Sequence, residues 1–163
     1  MKSGKKILES AMLHKEELEK LFYEHIYDDE MFYYMGCAHA NVAPVIRAEE
    51  NFYQYAIVYD EEVVGYLSYS IMASTNSACN FGLMSFKNCM AIGEALNEVM
   101  DGLLRTCRRI EWRMVGGNPV KRTYDRFCER HSGNVVVLHD VTVDKYGNYH
   151  DEYIYEILCG KNR

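Results

Sequence analysis

RIEWRMVGGNPVKRTYDRF, residues 109–127, changes period halfway along, and the rest of the chain is ordered around that change. Ile110, Trp112 and Met114 alternate with Glu111, Arg113 and Val115, the period of two expected of a strand. Gly116 and Gly117 then free the backbone for a turn, Asn118 is suited to cap a helix, and Pro119 suits its first position. From there to His131 the spacing is helical. If Val120 and Phe127 face the core, Tyr124 falls on the same broad face. The residues alone leave two readings of Tyr124 open, a core tyrosine or a phenol held at a site. Glu111 and Arg113 are equally two-sided: burying them on one face is costly unless they pair with each other or line a cleft.

Upstream, Ile92, Leu96, Val99, Met100, Leu103 and Leu104 recur at helical spacing between Ala91 and Thr106. Before that helix, YQYAIVYDEEVVGYLSYSIM, residues 53–72, reads as a hairpin with an acidic turn at Asp60 to Glu62. Its second strand places Val64, Tyr66, Ser68 and Ser70 on one face, and Gly65, Leu67, Tyr69 and Ile71 on the other. ASTNSA, residues 73–78, turns the chain into a third strand, CNFGLMSFK, at residues 79–87. Nearer the start, Leu18, Leu21, Phe22 and Ile26 mark an amphipathic helix over residues 14–26. Residues 6–12 fit either a first strand or the beginning of that helix. DDEMFYYMGC, residues 28–37, is a short helix or ordered loop, serving as a flap over the core or as a wall on the substrate side. Downstream, GNVVVLHDVTVD (133–144) and DEYIYEILC (151–159) are strands around the turn KYGNYH (145–150). The expected order is helix, three strands, helix, strand, helix, two strands, in a single domain spanning residues 1–163.

Composition narrows the function classes. With 163 residues and a hydrophobic fraction of 48%, the chain is long enough for a substantial core. The fourteen tyrosines supply apolar area with a polar tip, which suits a partly wet groove. A formal charge of -6 argues against nucleic acid as a partner, since phosphate neutralisation needs a basic surface. The one basic cluster, Arg105, Arg108 and Arg109, lies at a helix end, where cations complement the dipole. No apolar run approaches the roughly 20 residues of a membrane span, so no membrane is expected. The six cysteines are widely spaced, without CxxC, and no leader pattern is read at the start; reduced thiols and a cytoplasmic location are expected. The six histidines form no HxxxH or HExxH pair, and no metal site is expected.

NCMAIGEALNEV, residues 88–99, enters its helix through Ala91 and Gly93, both small enough to let an anion reach the backbone. The first amides of a helix lack internal acceptors and carry partial positive charge, so a phosphate fits there. A glycine in a first turn can equally be a matter of packing.

The order of elements, together with this run and the one around Tyr124, resembles the GNAT family of acetyl-CoA-dependent N-acetyltransferases over nearly the whole chain. The resemblance implies a mixed α/β fold: a central, mostly antiparallel sheet flanked by helices, with a splay between the fourth and fifth strands. It implies acetyl-CoA as cosubstrate, its pyrophosphate on the run Asn88, Cys89, Met90, Ala91, Ile92 and Gly93. Asn88 stands there for the family's Gln or Arg, and Ala91 for its first Gly. Phe86 and Asn118 join the cofactor side. Tyr124 matches the tyrosine that protonates the departing thiolate, six residues after Asn118 where seven is commoner. Some members carry a glutamate base on the fourth strand; CNFGLMSFK has no acid, which leaves Glu111 acting through water. The implied activity is direct acetyl transfer to an amine of a small molecule, peptide or protein, with a homodimer compatible. The alternative is a GNAT-like module that binds without catalysing.

Overall fold

The computed structural model describes residues 6–29, 31–35 and 43–160. The ambiguous first segment is a strand, β1 (Lys6–Ser10), followed by a 3-10 turn at Ala11–His14. Helices α1 (Lys15–His25) and α2 (Met31–Met35) come next, then the meander β2 (Phe52–Tyr59), β3 (Glu62–Met72) and β4 (Ser77–Ser85). Helix α3 (Met90–Thr106) leads to β5 (Arg109–Val115), and α4 (Lys121–Arg130) to β6 (Asn134–Val143) and β7 (Tyr149–Leu158). The seven strands form one sheet in the order β1-β2-β3-β4-β5-β7-β6. Every pairing is antiparallel except β4 with β5.

That parallel pairing is short. Only Ser77 with Arg109 and Ala78 with Ile110 are in register, and then the two strands part. The cause lies just beyond the last pair. Against β3, Ser70 faces Cys79 while Ser68 faces Gly82, so β4 carries one residue more than its neighbour over this stretch. Asn80 absorbs the extra residue at a φ of 55°, in the left-handed region that asparagine tolerates better than most residues. A bulge of this kind bends its strand and ends pairing on the far side. The expected splay between the fourth and fifth strands is therefore present and has a local cause.

Each face of the sheet carries its own core. On one, α3 and α4 cover Ile57, Leu67, Ala78, Ile110, Trp112, Tyr155 and Ile157. On the other, Leu18 and Phe22 of α1 and Met31 of α2 pack on Ala56, Val58, Val63, Tyr66 and Met84. The hairpin's face assignment needs one correction. Val64 belongs to the α3 side, opposite Tyr66, because a second bulge interrupts the β2–β3 register: Ile57 faces Gly65 but Val58 faces Val63. Strict alternation cannot anticipate a shift that depends on the partner strand. Gly65 marks a close approach of α3 to the sheet. A Cβ there would run into Ile92 Cδ1 and come within 2.8 Å of the Met84 carbonyl oxygen.

The turn before α4 also differs from expectation. The helix starts at Lys121, so Asn118 and Pro119 are not its cap and first residue. They close a turn ahead of it: Asn118 Oδ1 accepts from the Val120 amide at 3.1 Å, and its carbonyl accepts from the Lys121 amide at 3.1 Å. Gly117, at a φ of 88°, supplies the conformation that lets the strand reverse.

If the Asn80 bulge holds the splay open, side chains that reject positive φ should be costly there. Asn80→Val is expected to lower stability by about 1–2 kcal/mol in urea denaturation, and Asn80→Gly to leave it nearly unchanged.

Candidate active site

Where β4 and β5 part, they enclose a cavity of about 600 Å³. Residues Phe81 to Phe86 form the β4 wall, and Trp112 and Arg113 stand on the β5 side. Asn88 and Ile92 come from the start of α3, Asn118 and Tyr124 from the turn and helix that follow β5. His25, Asp28, Tyr33 and Tyr34 close the remaining side.

The floor is an aromatic stack. Trp112 lies flat on Tyr155, with centroids 5.0 Å apart and planes within 2°, and Tyr124 meets both rings edge-on at 6.0 Å. Tyr155 is anchored by donating to Asp125 Oδ1 at 2.7 Å, and Lys121 Nζ donates to the other oxygen of that carboxylate at 2.7 Å. Among the described residues, two polar groups in this floor lack partners. Trp112 is 4% exposed and its Nε1–H has no acceptor, a state that ordinarily costs about 1–3 kcal/mol. The Tyr124 hydroxyl has no hydrogen-bond partner among the described residues, and burial pushes its pKa up to about 12. It therefore carries its proton across the neutral range.

At the start of α3 the Cys89 thiol accepts from the Ala91 amide at 3.4 Å, and the Cys89 carbonyl accepts from the Ile92 amide at 3.2 Å. A thiol is a weak acceptor, so the first of these amides is poorly satisfied. Ala91 and Ile92 turn their side chains into the core, whereas Met90 is 84% exposed. A Cβ on Gly93 would meet nothing within 4 Å, so open space lies beside this first turn.

Phe86, Asn88, Ile92, Asn118 and Tyr124 are thus brought to one cavity, with Cys89, Met90, Ala91 and Gly93 on the adjoining turn. Glu111 is not. Its carboxylate pairs with Arg109 Nη2 and lies 3.8 Å from Arg113 Nε. The network continues from Arg109 to Glu156 at 2.6 Å and from Arg113 to Glu152 at 3.5 Å. Strand alternation explains the placement: with Trp112 in the cavity floor, Glu111 points to the opposite side of the sheet. Arg113 shares that side, and its longer side chain still reaches the cavity edge.

The segment 28–37 supplies a wall. Tyr33 and Tyr34 line the cavity, while Gly36 and Cys37 lie outside the described residues. Burial raises the Tyr34 pKa, and its hydroxyl shares a polar cluster with Tyr66 and Ser68. Gln54 Nε2 donates to Tyr66 at 2.7 Å within the same cluster. The β6–β7 turn and the start of β7 support this wall from outside, through Lys145 with Asp29 and through His150 against Phe32 at 5.0 Å. His25 and Asp28 were not anticipated as a pair: His25 Nδ1 lies 2.5 Å from Asp28 Oδ2. A signal existed, since Leu18, Phe22 and His25 follow one another at helical spacing, which puts a polar ring on the inward face of α1. Among the described residues, no group of three or more His, Cys, Asp or Glu is placed to hold a metal, and no helix is long and apolar enough to cross a membrane.

No protein-family model matches the chain, and no curated protein does. Solved structures do. MccE, the microcin self-immunity acetyltransferase in complex with acetyl-CoA and AMP, superposes with a TM-score of 0.67 at 16% identity, over 97% of each chain. The chain has the GNAT fold. RimL, a ribosomal alpha-N-protein acetyltransferase in complex with coenzyme A, gives 0.67 at 15% identity, covering 97% of this chain and 95% of its own. A probable GNAT-family acetyltransferase from Chromobacterium violaceum gives 0.60 at 18% identity, covering 99% and 85%. At these identities the likeness is one of fold.

The weak cap of α3 can be tested without a ligand. Cys89→Ser replaces a thiol by a better acceptor, and is expected to raise stability by about 0.5–1 kcal/mol in urea denaturation.

Proposed function

We propose that the chain is an acetyl-CoA-dependent N-acetyltransferase, moving the acetyl group directly from the thioester to an amine. The observation that carries this reading is the Tyr124 hydroxyl, which lies inside the cavity that the β4–β5 splay opens and has no hydrogen-bond partner among the described residues.

The residues present fit acetyl-CoA. Beyond Ala78, β4 has no β5 residue in register, so its backbone groups on that side are free to bond the amides of a pantetheine arm. The Ala91 amide would exchange its thiol acceptor for a phosphate oxygen, with Gly93 leaving room for the approach. Asn88 and Ala91 differ from the family's usual residues, yet the donors invoked here are backbone amides, which those substitutions leave in place.

When bound, acetyl-CoA supplies an activated acyl group on a sulfur leaving group. The protein orients that group along β4, polarises its carbonyl by hydrogen bonding, and excludes water with the aromatic floor. Tyr124 gives its proton to the departing sulfur. A neighbouring carboxylate would have pulled this proton into a hydrogen bond; among the described residues the phenol faces none.

Trp112 is the only tryptophan and forms part of the floor, so its emission reports binding directly. Acetyl-CoA should change that fluorescence saturably and raise the melting temperature; no change at millimolar cosubstrate would remove the enzyme reading. Gly93→Leu, which has room to fold, should weaken acetyl-CoA binding while keeping the native melting temperature. Tyr124→Phe should lower turnover by about 10²-fold or more with little change in acetyl-CoA affinity. Unchanged turnover would assign Tyr124 to the core alone.

A further inference from the structure

We infer that His25, oriented by Asp28, is the general base that takes the proton from the acceptor amine. The inference rests on the acetyltransferase reading and supplies the group that β4 and Glu111 do not. Three observations support it. Among the described histidines only His25 lines the cavity. Asp28 is acceptor-only when ionised, so the 2.5 Å contact requires the proton on Nδ1 and leaves Nε2 bare in the neutral imidazole. Nε2 has no hydrogen-bond partner among the described residues, and the ring is held 5.6 Å from Phe86 at the end of the β4 wall.

The other histidines are engaged elsewhere. His150 uses both nitrogens, toward the Gly116 carbonyl at 3.2 Å and Asp144 Oδ2 at 3.0 Å. His14 sits between Glu9 and Glu17, His131 packs on Phe127, and His139 pairs with Asp151. His39 lies outside the described residues. The His25 side chain is 29% exposed, enough to return a proton to water.

The step balances as follows. The acceptor ammonium gives one proton to His25 Nε2, and the lone pair it frees forms the new C–N bond. The C–S bond breaks with its electron pair going to sulfur, which takes the Tyr124 proton. The second proton on nitrogen leaves to water, and solvent restores both side chains. Asp28 touches no reacting atom; it is a positioning residue that fixes the tautomer and stabilises the imidazolium. The other charged or titratable groups on this side are Arg113 of β5, Tyr33 and Tyr34 of α2, and Lys145 and Tyr146 of the β6–β7 turn, both of which contact Asp29.

Nitrogen NMR of histidine-labelled protein reads the tautomer without any acceptor: the Nδ1–H form with a bare Nε2 is expected for His25, and Asp28→Asn should move it toward the other form. With an alanine-initiated tripeptide and phenethylamine as probe amines, His25→Gln should lower kcat about 10²-fold at neutral pH, and the deficit should shrink as pH rises and the amine loses its proton unaided. Acetyl-CoA binding, read by Trp112 emission, should stay within twofold, on the order of the scatter for an untouched cosubstrate site. Absence of acetyl-CoA binding by the unmodified protein would overturn the transferase reading and this one with it. Binding with an Nε2–H tautomer at His25, or a His25→Gln variant with unchanged kcat and pH profile, would overturn the base assignment alone.

Discussion

One extra residue in β4 decides the shape of the site. With Asn80 at a positive φ, β4 leaves β5 after two paired residues, and a sheet that would otherwise be continuous opens from within. Ordinary packing then fails at that point. Among the described residues, Trp112 finds Tyr155 beneath it but no acceptor for its indole N–H, and Tyr124 finds aromatic edges but no partner for its hydroxyl. Unmet polar groups in an interior are expensive, and both of these lie beside the seam.

The two sides of the seam do different work. Toward α3, the amides of a first turn capped only by a thiol face open space beside Gly93. Toward α1 and α2, side chains dominate: an imidazole, a carboxylate and two tyrosines, braced by the β6–β7 turn and the start of β7 through Asp29 and His150. On the proposed reading, the cosubstrate would be recognised by backbone on one side and the acceptor met by side chains on the other.

Much of the architecture was legible because it rests on period. Ile110, Trp112 and Met114 alternate as a buried strand face should, and Val120, Tyr124 and Phe127 do pack on one side of α4 against the core. The bulges at Val64 and Asn80 were hidden, since a register shift is a property of two paired strands and leaves no mark in either alone. The start of α4 moved by two residues because Asn118 spends its side chain on a turn. Glu111 and Arg113 could have paired or lined a cleft; along β5, Arg109 and Arg113 both pair with Glu111 on the face away from the cavity floor. His25 escaped notice for the converse reason: its partner, Asp28, follows the helix end, and only folding shows that both border the cavity.

Amide hydrogen exchange with and without acetyl-CoA tests the central claim most directly, because it reports on the seam without requiring an acceptor. Exchange should slow in residues 81–86 of β4 and 89–93 at the start of α3, and stay unchanged along β6 at the sheet edge. Protection absent from both segments, or confined to β6, would contradict the assignment of the splay as the acetyl-CoA site.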